Sequence, residues 1–247
     1  MQMPLPRWFA HRGGGSLAPE NTLAGIRLAA QMGYRAVEFD VMLSADGTPV
    51  LIHDETLART TNGCGRVCDT PDTVLFSLDA GGGERIPRYV EAVALCRQLG
   101  LLANVEIKPA AGFEVVTAET VARLSVDLWR GAEVQPLLSS FSIEVLEIAR
   151  DLAPGIARGL LYERVPADWV ATARRLQAFS LHCAAVGVSD AVLAEAQALA
   201  MPVLCYTVNA PAQAAALFGR GVAAVFTDRL DLFSPETSPY KGLHLPD

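Results

Sequence analysis

Along this chain, short and mostly apolar runs alternate with longer stretches in which apolar positions recur every three or four residues. The runs, at 8–11, 36–42, 102–107, 136–141, 156–161, 179–183, 203–208 and 223–227, have the length and composition of strands. The stretches between them, at 22–32, 89–99, 113–130, 143–152, 167–177, 190–200 and 212–218, have the helical period. Alternation of this kind predicts a parallel sheet, because a parallel pair needs a crossover that a tight turn cannot supply. About eight strands is the number that closes a parallel barrel, so the expected fold is α/β, a (β/α)8 TIM barrel. An open doubly wound sheet is the alternative, but no Gly-x-Gly-x-x-Gly follows the first strand.

One segment departs from the rhythm. Asp46-Gly47 lies between Val41-Met42-Leu43 and Pro49-Val50-Leu51-Ile52-His53, which predicts a hairpin appended to the second strand. Residues of about 55–87 are then rich in Thr, Asp and Gly with little periodicity. They are expected to form a small insertion over one mouth of the barrel. The tail, 234–247, is expected to be irregular, and the whole chain, 1–247, to be one domain.

Composition narrows the partners. Hydrophobic residues at 51% supply a large core, and a net charge of -7 argues against nucleic-acid binding, which needs a basic surface. A small anionic substrate responds to local charge and stays open. No basic patch followed by an apolar run begins the chain, and the apolar stretch 191–205 is broken by Glu195, Gln197 and Pro202. A cytoplasmic protein without membrane insertion is expected. The five cysteines are scattered and read as free thiols; a disulfide or half a zinc site at Cys64 and Cys68 is the less favoured reading. An oligomeric interface is permitted by the composition but not located by it.

Candidate chemistry gathers at the carboxyl ends of the strands, where barrels of this kind carry their sites. Glu38 and Asp40 are two apart, so they share one face of their strand, while Val37, Phe39 and Val41 would face the covering helices. The carboxylates would then point into the barrel, where charge must be answered. Glu106, between Val105 and Ile107, repeats the pattern. A hard divalent metal suits three such carboxylates; an ion-pair network with Arg12 and Lys108 is the rival. His11 ends the first strand and His53 ends the hairpin, so both are candidates for proton transfer, with ligation of a soft metal as the other role. His182 and His244 are assigned structural roles. Arg12 and Lys108 suit phosphate oxygens. Gly13-Gly14-Gly15 permits close backbone approach or is merely a turn. Asn21 or Thr22 should cap a helix, and Glu20 either reaches the site or stays outside it.

Taken in order, these motifs resemble the glycerophosphodiester phosphodiesterase family, of the cytosolic bacterial type. They are His-Arg-Gly at 11–13, Pro-Glu-Asn-Thr at 19–22, Glu-x-Asp-Val at 38–41, Val-x-x-His-Asp at 50–54, Leu-x-Arg-Thr-Thr-Asn-Gly at 57–63 and Glu-Ile-Lys at 106–108. Ser140-Phe141, Thr207-Val208-Asn209 and Thr227-Asp228 are later echoes. The resemblance implies metal ligands Glu38, Asp40 and Glu106, catalytic His11 and His53 as acid and base, and Arg12 and Lys108 on the phosphate. Glu20, Asn21, Asp54, Phe141 and Tyr206 would support or line the site. The implied cofactor is a divalent metal, with Mg²⁺ favoured and Ca²⁺ possible. The implied reaction cleaves a glycerophosphodiester, such as glycerophosphocholine or glycerophosphoethanolamine, into glycerol 3-phosphate and an alcohol. A lysophospholipase D-like activity is the alternative, and a non-catalytic phosphodiester-binding protein a third reading. The chain departs from the family at Tyr206, where many relatives have Trp, and in the short run Leu78 to Pro87, where relatives often place aromatic residues. Both imply a more open or differently shaped pocket.

Overall fold

Nine strands form one sheet in the computed structural model of the chain, which describes residues 5–235. They are β1 (Trp8–Ala10), β2 (Ala36–Leu43), β3 (Pro49–Leu51), β4 (Leu102–Ile107), β5 (Leu137–Ser140), β6 (Ala157–Tyr162), β7 (Ser180–Ala184), β8 (Val203–Tyr206) and β9 (Ala224–Thr227). All but β3 pair in parallel around a ring, β1-β2-β4-β5-β6-β7-β8-β9, and β9 returns to β1 through Trp8↔Val225, Phe9↔Phe226 and Ala10↔Thr227. The result is a closed eight-stranded (β/α)8 TIM barrel. β3 is the expected hairpin partner, antiparallel to β2 through Val41↔Leu51 and Leu43↔Pro49.

Helices α1 (Leu23–Gln31), α3 (Tyr89–Leu99), α4 (Glu114–Leu128), α5 (Ile143–Leu152), α6 (Trp169–Leu176), α7 (Asp190–Ala198) and α8 (Pro211–Gly219) are the crossovers. Their starts are written locally: Thr22, Ser142 and Ser189 accept the backbone N–H three residues on, and Pro211 occupies the first turn of α8. Four short elements were not expected: α2 (Asp72–Leu75), a single turn inside the long connection, and 3-10 turns at Gly15–Leu17, Val67–Asp69 and Leu230–Leu232. The tail from 236 onward, with His244, lies outside the described residues. Among the described residues no helix is long and apolar enough to cross a membrane.

Strand alternation separates two cores. Outward residues Val37, Phe39, Val41, Val105 and Ile107 pack with Ile26 of α1, Val93 of α3 and Val121 of α4. Inward residues Phe9, Ala36, Leu102, Leu137, Leu204, Ala224 and Phe226 form a separate floor inside the ring, joined by Leu5. One step higher in β2 and β4 the floor gives way to Glu38 and Asn104, then to Asp40 and Glu106, which are paired across the strands. Burial of the outward face thus fixes which face carries the acids.

The connection from β3 to α3 has its own small core. Met42, Val50, Ile52, Leu57, Val67, Cys68, Leu75 and Ile86 cluster beneath it. The hydroxyls of Ser44 and Thr48 each donate to the Asp72 carboxylate at 2.6 Å, tying the hairpin to α2. Cys64 and Cys68 are both free, the first exposed and the second buried.

Candidate active site

Three carboxylates define the centre. Glu38, Asp40 and Glu106 are 3%, 2% and 8% exposed, and one oxygen from each lies within 4.8 Å of the others. Asn21 pins Asp40 twice: its Nδ2 donates to Oδ2 at 2.9 Å and its Oδ1 accepts from the Asp40 backbone N–H at 3.1 Å. The cap of α1 therefore falls to Thr22, leaving Asn21 for the site. The backbone N–H of Arg12 donates to Glu38 Oε2 at 2.8 Å. Arg12 and Asn21 hold that geometry with φ of +50° and +57°, a left-handed conformation uncommon for residues with a side chain.

These acids are under-compensated by protein alone. Burial, then the neighbouring carboxylates Asp40 and Glu106, push the Glu38 pKa well above the ordinary range. Burial, then Asp40, raise that of Glu106 to about 8. Glu106 Oε1 and Arg12 Nε are buried without a hydrogen-bond partner. The nearest cations stand off: Lys108 Nζ is 3.6 Å from Asp40 Oδ1, and Arg12 Nε is 4.0 Å from Asp40 Oδ2. An all-oxygen set of buried, crowded carboxylates with an unsatisfied oxygen fits a hard divalent cation. The ion-pair network proposed as the rival leaves that oxygen unanswered.

Two imidazoles flank the acids, each held by a carboxylate. His11 Nδ1 meets Asp228 Oδ1 at 2.6 Å, and His53 Nδ1 meets Asp54 Oδ1 at 2.5 Å. An ionised carboxylate only accepts, so Nδ1 donates in both pairs and Nε2 is the basic atom of each neutral ring. His11 Nε2 faces Glu38 Oε2 at 3.8 Å, and the Lys108 ammonium donates to His53 Nε2. Burial lowers the His53 pKa, favouring the neutral ring, against the opposing pull of Asp40 and Asp54.

Behind these groups stand Arg59, Asn209 and Asp228, none of them among the expected site residues. Arg59, from the connection after β3, forks to Glu20 at 2.7 and 2.7 Å and to Asp54 at 2.5 and 3.0 Å. Glu20 also accepts from Arg12 Nη1 at 3.0 Å, so Glu20 does reach the site. Burial works against ionisation of Glu20, but the Arg59 hydrogen bonds and the Arg12 charge outweigh it and keep the pKa low. Asn209 donates to Asp228 Oδ2 at 3.0 Å and accepts from the Asp228 backbone N–H at 2.8 Å. The sequence carries these residues in the motifs Leu-x-Arg at 57–59, Thr-Val-Asn at 207–209 and Thr-Asp at 227–228, without showing what they would meet.

The cavity enclosed by these groups has a volume of about 140 Å³ and is lined by His11, Arg12, His53 and Lys108 around the three acids. Phe141 and Tyr206 form one wall of it, and His182 lies deeper. His182 is fully buried, donates to or accepts from Ser180 Oγ at 2.9 Å, and burial alone drives its pKa to about 3. It is a neutral packing ring, as expected. Glycines bring the first loop close: a Cβ on Gly15 would lie 2.3 Å from the Asp228 carbonyl oxygen, so this triplet is a close-approach site rather than a loose turn.

The sequence profile of the Glycerophosphoryl diester phosphodiesterase family matches residues 11–232. A glycerophosphodiester phosphodiesterase of Caldanaerobacter subterraneus subsp. tengcongensis is 31% identical over 240 residues, covering 93% of this chain and 94% of its own length. Among solved structures, a phosphodiesterase of Oleispira antarctica in complex with the product sn-glycerol-3-phosphate has a TM-score of 0.88 and 37% identity, over 95% of this chain and 98% of that one. A glycerophosphodiester phosphodiesterase of Agrobacterium tumefaciens has a TM-score of 0.76 and 27% identity, over 93% and 99% of the two chains.

Proposed function

Since this chain belongs to the glycerophosphoryl diester phosphodiesterase family and is a glycerophosphodiester phosphodiesterase, we propose that it hydrolyses glycerophosphodiesters with a divalent cation and two histidines. Glycerophosphocholine and glycerophosphoethanolamine are the substrates to assay first, and glycerol 3-phosphate and the free alcohol are the products. The observation that carries this reading is the meeting of three buried carboxylates, two carboxylate-held imidazoles and two cations in one cavity.

Glu38, Asp40 and Glu106 would hold the ion, and Mg²⁺ is favoured for a cytoplasmic protein. When bound, the ion supplies positive charge against the phosphoryl oxygens and acidifies the attacking hydroxyl. Arg12 and Lys108 add charge on the same oxygens as the phosphorus centre becomes crowded and more anionic. One imidazole accepts through Nε2 the proton of the nucleophile, either water or the glycerol hydroxyl beside the ester. The other, entering the reaction as an imidazolium protonated on both ring nitrogens, donates from Nε2 to the departing alkoxide, so the alcohol leaves neutral. Asp54 and Asp228 hold Nδ1–H of both rings, so that Nε2 is the atom that accepts in one ring and donates in the other. If the glycerol hydroxyl attacks, a cyclic phosphate forms first, and water opens it in a second step with the proton roles reversed.

The test is a metal-by-substrate matrix on chelated protein, reading glycerol 3-phosphate and alcohol. EDTA should abolish turnover and Mg²⁺ should restore it. Tight phosphodiester binding without product would instead identify a binding protein, and faster turnover of the lyso-lipid than of glycerophosphocholine would identify a lysophospholipase D.

A further inference from the structure

Beside the catalytic cavity lies a second recess of about 390 Å³ that no step above uses. It shares Phe141, Tyr206 and Thr207 with the cavity, so the two adjoin across these side chains. Its remaining wall comes from the ends of β6 and β7, with Glu163, Ala184, Ala185 and Val186. Phe141 is 46% exposed and Val186 is 93% exposed, apolar groups held out at the barrel mouth. The Phe141 and Tyr206 rings meet edge to face, with centroids 6.0 Å apart and planes at 81°. Tyr206 is fixed in place because its hydroxyl donates to the Tyr162 carbonyl at 2.8 Å.

Glu163 is the one charged side chain in this wall. It lies close enough to Tyr206 to add, behind burial, Cys183 and Glu106, to the raised pKa of that phenol. Among the described residues its carboxylate has no ion pair or hydrogen bond. The recess therefore offers two aromatic rings, aliphatic surface and a single uncompensated negative charge.

A phosphodiester held at the phosphate has two ends to place. The glycerol end carries hydroxyls that need partners, and the polar cavity supplies them. Besides the Tyr206 hydroxyl, already engaged with the Tyr162 carbonyl, the side chains of the recess offer only Thr207 and Glu163 to a polyol, which would lose hydrogen bonds to water without fully replacing them. An ammonium group gains from both features at once. Ring faces attract it electrostatically, its methyl or methylene groups cover apolar surface, and a carboxylate neutralises its charge.

We propose that this recess is the subsite for the departing alcohol and that it selects a cationic one, an amino or quaternary ammonium alcohol, through Phe141, Tyr206 and Glu163. The assignment rests on the phosphodiesterase reading above. It separates substrates that the catalytic groups alone treat alike, since every glycerophosphodiester presents them with the same phosphate and glycerol.

The experiment compares kcat/KM for glycerophosphocholine, glycerophosphoethanolamine, glycerophosphoglycerol and glycerophosphoinositol in the wild type and in Glu163→Gln and Glu163→Lys. The site is exposed, so neither substitution disturbs a core. The wild type should favour the two cationic headgroups, and Glu163→Lys should lower the cationic-to-neutral ratio roughly five- to tenfold or more, mainly through KM, with Glu163→Gln intermediate. Choline chloride, against an equal concentration of sodium chloride, should inhibit the wild type competitively and inhibit Glu163→Lys less. Hydrolysis of all four substrates with the same ratio in wild type and Glu163→Lys would overturn the subsite and leave the phosphodiesterase reading standing. Choline that inhibits no better than glycerol would do the same. Failure to hydrolyse any of the four would overturn both.

Discussion

Arg59 holds two arms of the site at once, and its effect reaches both the phosphate side and the proton-transfer side. One edge of its guanidinium fixes Glu20, which orients Arg12; the other fixes Asp54, which orients His53. Removing partners of this kind typically costs about 10–100-fold in activity. Arg59→Ala should therefore lower kcat/KM by that order while the thermal midpoint moves little, the pair being half-exposed and screened. Arg59→Lys should recover only part of the loss, because an ammonium has three donors and no planar fork, and cannot repeat the paired bonds to both carboxylates. Equal recovery by Lys would reduce the role of Arg59 to charge alone. His11→Ala and His53→Ala should each cut turnover roughly 10²–10⁴-fold with an unchanged circular-dichroism spectrum. Near-normal turnover in both would remove them from the mechanism. The catalytic candidates were legible at this scale because each sits at a strand end with its own local pattern. Arg59 and Asp228 were not, since Arg59 acts by joining Asp54 to Glu20, 39 residues away, and Asp228 meets His11 across 217 residues.

At the scale of elements, the barrel interior is filled by complementary large and small residues on adjacent strands. Gly159 of β6 is small because the His182 ring of β7 occupies its side-chain space: a Cβ there would lie 2.7 Å from two ring atoms. Gly159→Ala should destabilise the protein by about 1–3 kcal/mol, since neither the strand nor the buried ring can yield freely. A lowered thermal midpoint with little change in KM would be the signature, whereas an unchanged midpoint would show that the ring has room to move. Strand and helix positions were readable because burial imposes period two on β2 and β4 and period 3.6 on the crossovers. The connection after β3 was not, because Leu57, Val67, Leu75 and Ile86 anchor it at irregular spacing and the single turn of α2 is too short to repeat. The same irregularity hid Arg59, which that connection carries.

For the whole molecule, the buried acids link stability to both pH and metal. Glu38 and Glu106 bind protons more tightly when folded than when unfolded, so metal-free stability falls as pH rises from the ordinary 4.5 toward the folded value of about 8 for Glu106. A ligated cation requires both groups ionised and offsets that loss. The difference in thermal midpoint between Mg²⁺-loaded and chelated protein should thus widen from about pH 5 to about pH 8. A difference independent of pH would mean that these carboxylates do not hold the ion. Asp54 and Asp228 behave oppositely: the Arg59 and His53 bonds of the first, and the His11 bond of the second overcoming burial, depress their pKa values. Their stabilisation is present above the ordinary carboxylate range and is lost on acidification; both forms share it, so it cancels from the comparison. Parallel closure of the ring was legible from the number of alternating units, but which residues would meet across the seam was not. That seam has a consequence for folding. His11 follows β1, yet Asp228, which orients it, follows β9, so the imidazole is not set in place until β9 has docked on β1. Turnover is accordingly a direct reporter of ring completion, and a refolding time course followed by product release should lag one followed by helix content.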